Sequence, residues 1–317
     1  MTAPLLELKE LCKYFKVREG ILHAVDKVNL KIFKGTTLGL VGESGCGKTT
    51  LGRVTIRLLE ATSGEVLYDG ENIVKYNSKA EIKKMKRNMQ IIFQDPYASL
   101  NPRMTVSDLI EEAMYVNKII KNKQKRLERV RELMNIVGIE KRLEDLYPHE
   151  LDGGRRQRIG IARALSLNPE FIVCDEPVSA LDVSIQAQIL NLLMDLQEQM
   201  NYTYIFISHN LSVVKHISDE IAVMYLGKIV ERAPSNELFT NSLHPYTQAL
   251  LRAIPIPDLN LRGRKREILR GEVSSPINPS PGCRFAPRCK FAKKECTEKD
   301  LQLKEVKKGH FVLCTMF

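Results

Sequence analysis

Gly42-Glu43-Ser44-Gly45-Cys46-Gly47-Lys48-Thr49 constrains this chain more than any other stretch. It completes the pattern G-x-x-x-x-G-K-[ST] and follows Thr37–Val41, a run that reads as a strand. A strand that turns through glycines directly into a helix leaves backbone N–H groups aimed at one point. Phosphate oxygens fit there, and the helix N-terminus adds positive potential. Lys48 is placed to reach the β- and γ-phosphates, and the Thr49 hydroxyl to ligate Mg²⁺. Gly42, Ser44, Gly45, Cys46, Gly47 and Thr50 complete the cradle, with Cys46 read as a tolerated small residue. The loop implies a nucleoside triphosphate.

A second constraint lies about 130 residues on. Phe171-Ile172-Val173-Cys174 is an apolar run that ends in Asp175-Glu176. A buried strand delivers such carboxylates at its C-terminal tip, where open α/β sheets bind ligands. Asp175 is suited to hold Mg²⁺ and Glu176 to polarise an attacking water, since phosphoryl transfer rests on positioning and charge. Ser184–Gln199 reads as a helix with Ile185, Ile189, Leu192, Leu193 and Leu196 on one face. Thr203–Ile207 reads as another buried strand, so strand, helix and strand imply a parallel sheet. Early strands are expected at Leu5–Leu11, Ala24–Ile32 and Gly64–Tyr68, the last closed by Asp69-Gly70. Helical periodicity marks Ser107–Asn117 and Lys123–Val137, and Ile221–Met224 with Lys228–Glu231 reads as a hairpin.

The chain has 317 residues, 44% hydrophobic and 27% charged, which is ordinary for a globular protein. No run approaches the ~18–20 apolar residues that span a bilayer. Met1–Glu7 shows no basic region followed by an apolar one, so a cytosolic chain is expected. Net charge is +10, with 14 Lys or Arg against 7 Asp or Glu after Pro255. This and a basic run over Lys118–Arg131 read as solvated surface, with anionic lipid or nucleic acid as the other reading. Prolines 245, 255, 257, 276, 279, 281 and 287 mark the tail as an appendage wrapped on the surface.

Further motifs follow in a fixed order. Leu151-Asp152-Gly153-Gly154-Arg155 opens a helix just upstream of the carboxylate pair. Gln94 lies in Ile91-Ile92-Phe93-Gln94-Asp95, Ser179-Ala180-Leu181-Asp182 follows Glu176, and His209 follows the strand Thr203–Ile207. Together with the phosphate loop, this set resembles ABC-type ATPases over essentially the whole chain. Finer segments, Gln94–Pro102, Asp175–Leu190 and His244-Pro245-Tyr246-Thr247, resemble ATP-binding subunits of oligopeptide and dipeptide importers, and among these the subunit usually called F.

The resemblance implies an α/β P-loop NTPase with a RecA-like core, an antiparallel β-subdomain and a helical subdomain at about 96–163. The ATPase domain would span 1–235, and a Cys-rich C-terminal extension 236–317. It implies that Phe15 stacks on adenine, with Tyr14 as the alternative. Gln94 would sense Mg²⁺ beside Thr49 and Asp175, and Glu176, His209 and Gln94 would serve hydrolysis. Asp152, Gly153 and Gly154 would cap the ATP held by a second ATPase subunit, in a heterodimer. Two transmembrane permease subunits and, indirectly, a peptide-binding protein complete the expected assembly, at the cytoplasmic face of the membrane. The alternative is a soluble ABC ATPase linked to nucleic acid; one motif set and the importer-like segments argue against it.

Two features depart from the plain pattern. The family usually has Ser-Gly-Gly-Gln where this chain has Asp152-Gly153-Gly154-Arg155. An ionised carboxylate offers acceptors only and repels phosphate, unless Arg155 compensates. An asymmetric pair of ATP sites, with the site completed by Asp152 impaired, is one expectation; a fully tolerated residue is the other. Separately, Cys283, Cys289, Cys296 and Cys314 crowd the end of the chain. Four thiolates can hold an iron–sulfur cluster or zinc. The gaps are wide for structural zinc, and some peptide-importer ATPases carry a four-iron four-sulfur cluster here. Unligated thiols are the third reading.

Overall fold

Strict alternation fails early in the first strand, and the structure supplies the reason. In this computed structural model, which describes residues 3–254, 275–298 and 300–317, Leu6–Val17 and Gly20–Ile32 pair antiparallel. Leu8 lies opposite Leu30, but the next partners are Leu11 and Val28. The extra residue on the first strand is a β-bulge, and Glu10 occupies it at φ 45°. Two further register shifts follow, at Leu11/Lys13 and Lys13/Tyr14, and regular pairing returns from Tyr14 opposite His23 to Val17 opposite Gly20, so the strand runs on and carries Tyr14 and Phe15. It does not end at Leu11, where the sequence pattern stops.

The chain divides into two compact units. The first combines Met1–Ile32, Thr37–Val74 and Phe206–Phe317. It holds the expected antiparallel sheet, in the order Gly20–Ile32, Leu6–Val17, Ser63–Tyr68 and Glu71–Asn72. Leu6, Leu8, Leu11, Val28, Leu30, Ile32 and Val66 form its buried face. In the same unit Thr37–Val41, buried throughout, pairs parallel with Glu220–Tyr225. Lys228–Pro234 returns antiparallel, and His310–Val312 and Lys304–Lys307 extend that edge.

The C-terminal region is therefore more than a surface wrap. Its last hairpin adds strands, and Tyr246 and Phe285 pack on Tyr225 with ring centroids 4.6 and 5.4 Å away. A buried carboxylate fixes it. Glu231 accepts from Leu243 N at 2.7 Å, His244 N at 3.0 Å and His310 Nε2 at 2.8 Å. Pro276 O and Ile277 also meet the strand Gly20–Ile32. Pro255 and Pro257 of the proline-rich stretch lie outside the described residues.

The second unit combines Phe33–Thr36 and Lys75–Ile205. Met89–Ile92 pairs parallel with Phe171–Asp175, whose five residues are all buried. Helices fill most of the rest: Pro96–Ser99, Val106–Val116, Lys123–Ile136 and Gly153–Leu165. Thr105 and Asp108 close a reciprocal capping box at the second of these, which satisfies donors that a helix start otherwise leaves open. Helix Val183–Met200 buries Ile189, Leu190, Leu193 and Leu196. Ile185 and Leu192, expected on that face, are only half-buried, so the packed stripe is rotated toward Leu190.

The three arginines of the basic run are paired within this unit, while Lys118, Lys121, Lys123 and Lys125 are exposed. Arg126 is buried on Glu111 (Nε to Oε1 2.5 Å) and also donates to Ile120 O and Lys121 O. Arg129 pairs with Glu132 and Arg131 with Glu144. Paired guanidinia make a poor electrostatic footprint for nucleic acid. Among the described residues, no helix is long and apolar enough to cross a membrane.

Candidate ATP site and signature helix

Backbone geometry makes the phosphate loop. Gly47 caps helix Lys48–Thr55 at φ 107°, a left-handed conformation that glycine alone adopts at little cost. Its neighbours leave no alternative: a Cβ there would lie 2.0 Å from Ala24 O. Gly42 is held as closely, 2.1 Å from Met224 O by the same construction. Lys48 is buried, and its Nζ donates to Gly42 O at 2.8 Å and Glu43 O at 3.0 Å. The ammonium thus already sits inside the loop, where phosphate oxygens would exchange with these carbonyls. Cys46 is buried beside it, and burial raises its thiol pKa. That fits a packing residue and not a reactive thiolate. Ser44 and Gly45 are exposed at the rim, and Thr49 and Thr50 are half-buried in the first helical turn.

Two more expected residues belong to the same unit. Phe15 is half-buried on the strand Leu6–Val17, with Lys13 Nζ 4.9 Å from its ring centroid. Tyr14 is committed elsewhere. Its hydroxyl donates to Asp26 Oδ1 at 2.6 Å, and its ring stacks on His23 at 4.0 Å. The Tyr14 ring is thus covered by His23, whereas Phe15 is half-buried beneath the Lys13 ammonium. His209 is exposed, just beyond the strand Thr203–Ile207. Ser208 before it is tied to Leu40 O, and Asn210 after it caps the next helix.

The second unit gathers the remaining residues. Asp175 is buried at the end of its strand. Glu176 follows at φ 48°, a left-handed conformation costly for a non-glycine residue and typical of functional sites. Gln94 Nε2 donates to Glu176 Oε2 at 3.3 Å, so two of the three residues expected to serve hydrolysis meet directly. Ser179 N and Oγ both donate to the Glu176 main-chain carbonyl, which ties the Ser179–Asp182 segment to the backbone of Glu176. Asp182 caps helix Val183–Met200 by accepting from Ile185 N at 3.0 Å.

The signature segment is a helix cap. Asp152 Oδ1 accepts from Arg155 N at 2.8 Å, and Oδ2 pairs with Arg155 Nη1 at 3.0 Å. Both carboxylate oxygens are engaged and the charge is matched locally, which the sequence raised only as a condition. Gly153 and Gly154 open the helix against the neighbouring segment. A Cβ on Gly154 would lie 2.8 Å from Ile185 Cγ2, and one on Gly153 3.3 Å from Leu181 Cδ2.

Cys283, Cys289, Cys296 and Cys314 line a single cavity of about 20 Å³, with His244, Phe285 and Phe291 among its walls. All seven cysteines are free thiols. Burial pushes the Cys283 thiol up to about 11 and raises Cys289 and Cys314 as well. His244 is driven the other way, to about 4, by burial; its Nδ1 accepts from Tyr246 N, and Cys283 Sγ lies 3.9 Å from its Nε2. The donor set suits a thiolate-held metal. As packed, the cavity has room for one water-sized sphere. Among the described residues, no group of three or more His, Cys, Asp or Glu is arranged to hold a metal ion.

Sequence reasoning missed the partners of Glu43. Tyr246 and Arg288 both contact it from 203 and 245 residues downstream. No local spacing reports so distant a pairing, although Tyr246 lies in the importer-like segment His244–Thr247.

Comparison with known proteins places these features. An ABC transporter model matches residues 25–179, and a model for the C-terminal region of oligopeptide/dipeptide transporters matches residues 230–296. The chain is 52% identical over 315 residues to the oligopeptide transport ATP-binding protein OppF of Bacillus subtilis, covering 99% of this chain and 97% of that one. A putative peptide import ATP-binding protein of Brucella ovis is 49% identical over 98% of this chain and 97% of its own. Among solved structures, the dimeric ATP-binding cassette MJ0796 bound to ADP and Pi is 28% identical with a TM-score of 0.67, over 73% of this chain and 98% of that one. With the complete phosphate loop, the carboxylate strand and the C-terminal region all accounted for, the chain belongs to the ABC ATP-binding subunits of the oligopeptide/dipeptide transporter family.

Proposed function

We propose that this protein hydrolyses ATP to power import of di- and oligopeptides through permease subunits that it does not itself contain. The observation that carries this is the 52% identity over 99% of the chain with OppF, joined to an intact Gly42–Thr49 loop. Lys48 and the loop amides hold the β- and γ-phosphates, and Phe15 stacks on the base. On this reading Thr49, Gln94 and Asp175 would hold Mg²⁺, whose charge would offset that of the phosphates. Glu176 orients the water that attacks the γ-phosphorus; the bond to the β-phosphate oxygen breaks, and ADP and phosphate leave. His209 contacts the γ-phosphate. The working domain division is 1–235 and 236–317.

Partners follow from the same reading. A second, non-identical ATPase subunit supplies its own signature to this chain's ATP, while Asp152, Gly153 and Gly154 face the partner's ATP. Asp152, an acceptor already engaged by Arg155, has no hydroxyl to donate to that γ-phosphate, which supports unequal sites. Exposed Tyr97, Tyr115 and Val116 in the helical subdomain suit contact with the permeases, at the cytoplasmic face of the membrane. Reconstitution with both permeases and the partner ATPase in liposomes tests this: ATP-dependent peptide uptake is expected, lost in E176Q. Nucleic-acid-stimulated ATPase without peptide uptake would establish the soluble alternative instead.

The four thiols around one cavity support a further reading, that Cys283, Cys289, Cys296 and Cys314 ligate a four-iron four-sulfur cluster that staples the tail. Loading requires the thiols to spread from their packed positions and to lose their protons. Iron and sulfide analysis of anaerobically purified protein decides it; zinc alone, or no metal, rejects it.

A further inference from the structure

The Cys-rich lobe reaches the phosphate loop through one guanidinium. Arg288 ends the helical turn Ala286–Arg288, next to Cys289. Its Nη1 and Nη2 donate to Glu43 Oε2 and Oε1 at 2.9 and 3.2 Å, a bidentate pair. Nη1 also lies 3.4 Å from the Tyr225 hydroxyl. The guanidinium is held over both Tyr225 and Phe285, 6.0 Å from each ring centroid. Arg288 is 6% exposed and Glu43 25%, so neither charge is fully solvated.

Glu43 is the second residue of the phosphate loop, and both its backbone groups are in use. Its N–H donates to the Tyr246 hydroxyl at 2.9 Å, and its carbonyl accepts from Lys48 Nζ at 3.0 Å. Tyr246 is fully buried between Tyr225 and Phe285. The loop's first turn is therefore braced from outside by two residues of the C-terminal region. A carboxylate at this position presents a problem to a polyanionic ligand. A partly desolvated negative charge repels phosphate more strongly than it would in open water. A bidentate arginine cancels that charge and fixes the carboxylate's direction, which a point-charge lysine does less well.

We propose that Arg288 is a positioning residue for nucleotide binding: it neutralises Glu43 and holds the first turn of the phosphate loop, so that the Cys-rich lobe sets the ATP affinity of this site. The inference rests on reading Gly42–Thr49 as the ATP site. A second contact of the lobe supports it. Arg284 donates to Asp26 Oδ2 and to Leu226 O, and Asp26 in turn receives the Tyr14 hydroxyl beside Phe15. The same lobe thus grips both the phosphate loop and the strand pair that carries the adenine platform.

The test is equilibrium binding of a fluorescent ATP analogue with Mg²⁺ to the full-length chain, with thermal unfolding run in parallel. R288Q is expected to weaken binding about tenfold, and more at low ionic strength, because it leaves Glu43 uncompensated. E43Q placed in R288Q should recover most of that loss, since the repelling charge is gone. R288K should fall between wild type and R288Q. Unchanged affinity in R288Q overturns the proposal. So does weakened binding that E43Q fails to restore, because a packing role alone predicts no rescue. If R288Q does not fold, R288K and E43Q/R288K carry the same comparison, with rescue expected and its absence refuting. A wild-type chain that binds no nucleotide would instead sink the reading of the loop itself.

Discussion

Asp152 does two things that a substitution can separate. It caps helix Gly153–Leu165 through Arg155 N at 2.8 Å, and it withholds a hydroxyl donor from the signature position. Replacing it with alanine removes the cap, which costs about 1 kcal/mol. The ion pair with Arg155 is 57% and 43% exposed, so its loss adds only a few tenths, about 0.2–1 kcal/mol before solvent screening is discounted. D152A should therefore lower the melting temperature by about 2–4 °C in a chain of this size. D152S keeps a capping oxygen and should stay within about 0.5 kcal/mol of wild type.

Activity should move the other way. A serine hydroxyl donated to a charged γ-phosphate is worth about 1.5–3 kcal/mol, enough to bring a second ATP site into use. In a complex reconstituted with the proposed partner ATPase and permeases, D152S should roughly double the ATPase rate, as one recovered site joins one already working. Steady-state phosphate release from the complex in liposomes, with calorimetric melts of the isolated chain, measures both arms. Unchanged turnover in D152S refutes the impaired-site reasoning. An unchanged melting temperature in D152A refutes the capping argument, whatever the turnover shows.

Other perturbations have equally definite outcomes. E176Q should reduce ATP turnover about a hundredfold or more while ATP binding persists, since it removes water activation and not phosphate contacts; rapid-filtration binding beside a turnover assay reads the split. F15A should weaken nucleotide affinity by about 1–3 kcal/mol through lost base stacking, whereas Y14F, whose hydroxyl serves Asp26, should change affinity far less; fluorescence titration distinguishes them. E231A should cost about 3–5 kcal/mol, because it strands His310 and two backbone N–H groups in a buried site, and thermal unfolding of the purified chain should show it plainly.

What the sequence showed and what it hid divide along physical lines. Motifs whose chemistry is local were legible: the glycine loop needs its residues adjacent, and the strand Phe171–Asp175 declares itself by an apolar run ending in acids. Period-based readings held where the period held. They failed at Glu10, where a bulge breaks the alternation and hides the strand that carries Phe15. On helix Val183–Met200 they took Leu192 in place of Leu190, because neighbours along an apolar stripe differ by a rotation that the pattern alone does not fix.

The C-terminal region was the least legible part, for a different reason. Its prolines and charges suggest a segment that cannot fold on its own. The structure shows it docked: it completes an edge of the first unit's sheet and supplies buried groups to it. Glu231 and His310 are 0% and 1% exposed and lie 79 residues apart in sequence. A carboxylate so deeply buried is stable only with every acceptor satisfied, so strand Lys228–Pro234 requires the tail to be docked. The same dependence runs through Arg288 and Tyr246 to Glu43. Undocking the tail would therefore strip Glu231 of its donors and leave Glu43 without Arg288, an uncompensated negative charge beside the bound phosphates, so nucleotide favours a tail that stays docked.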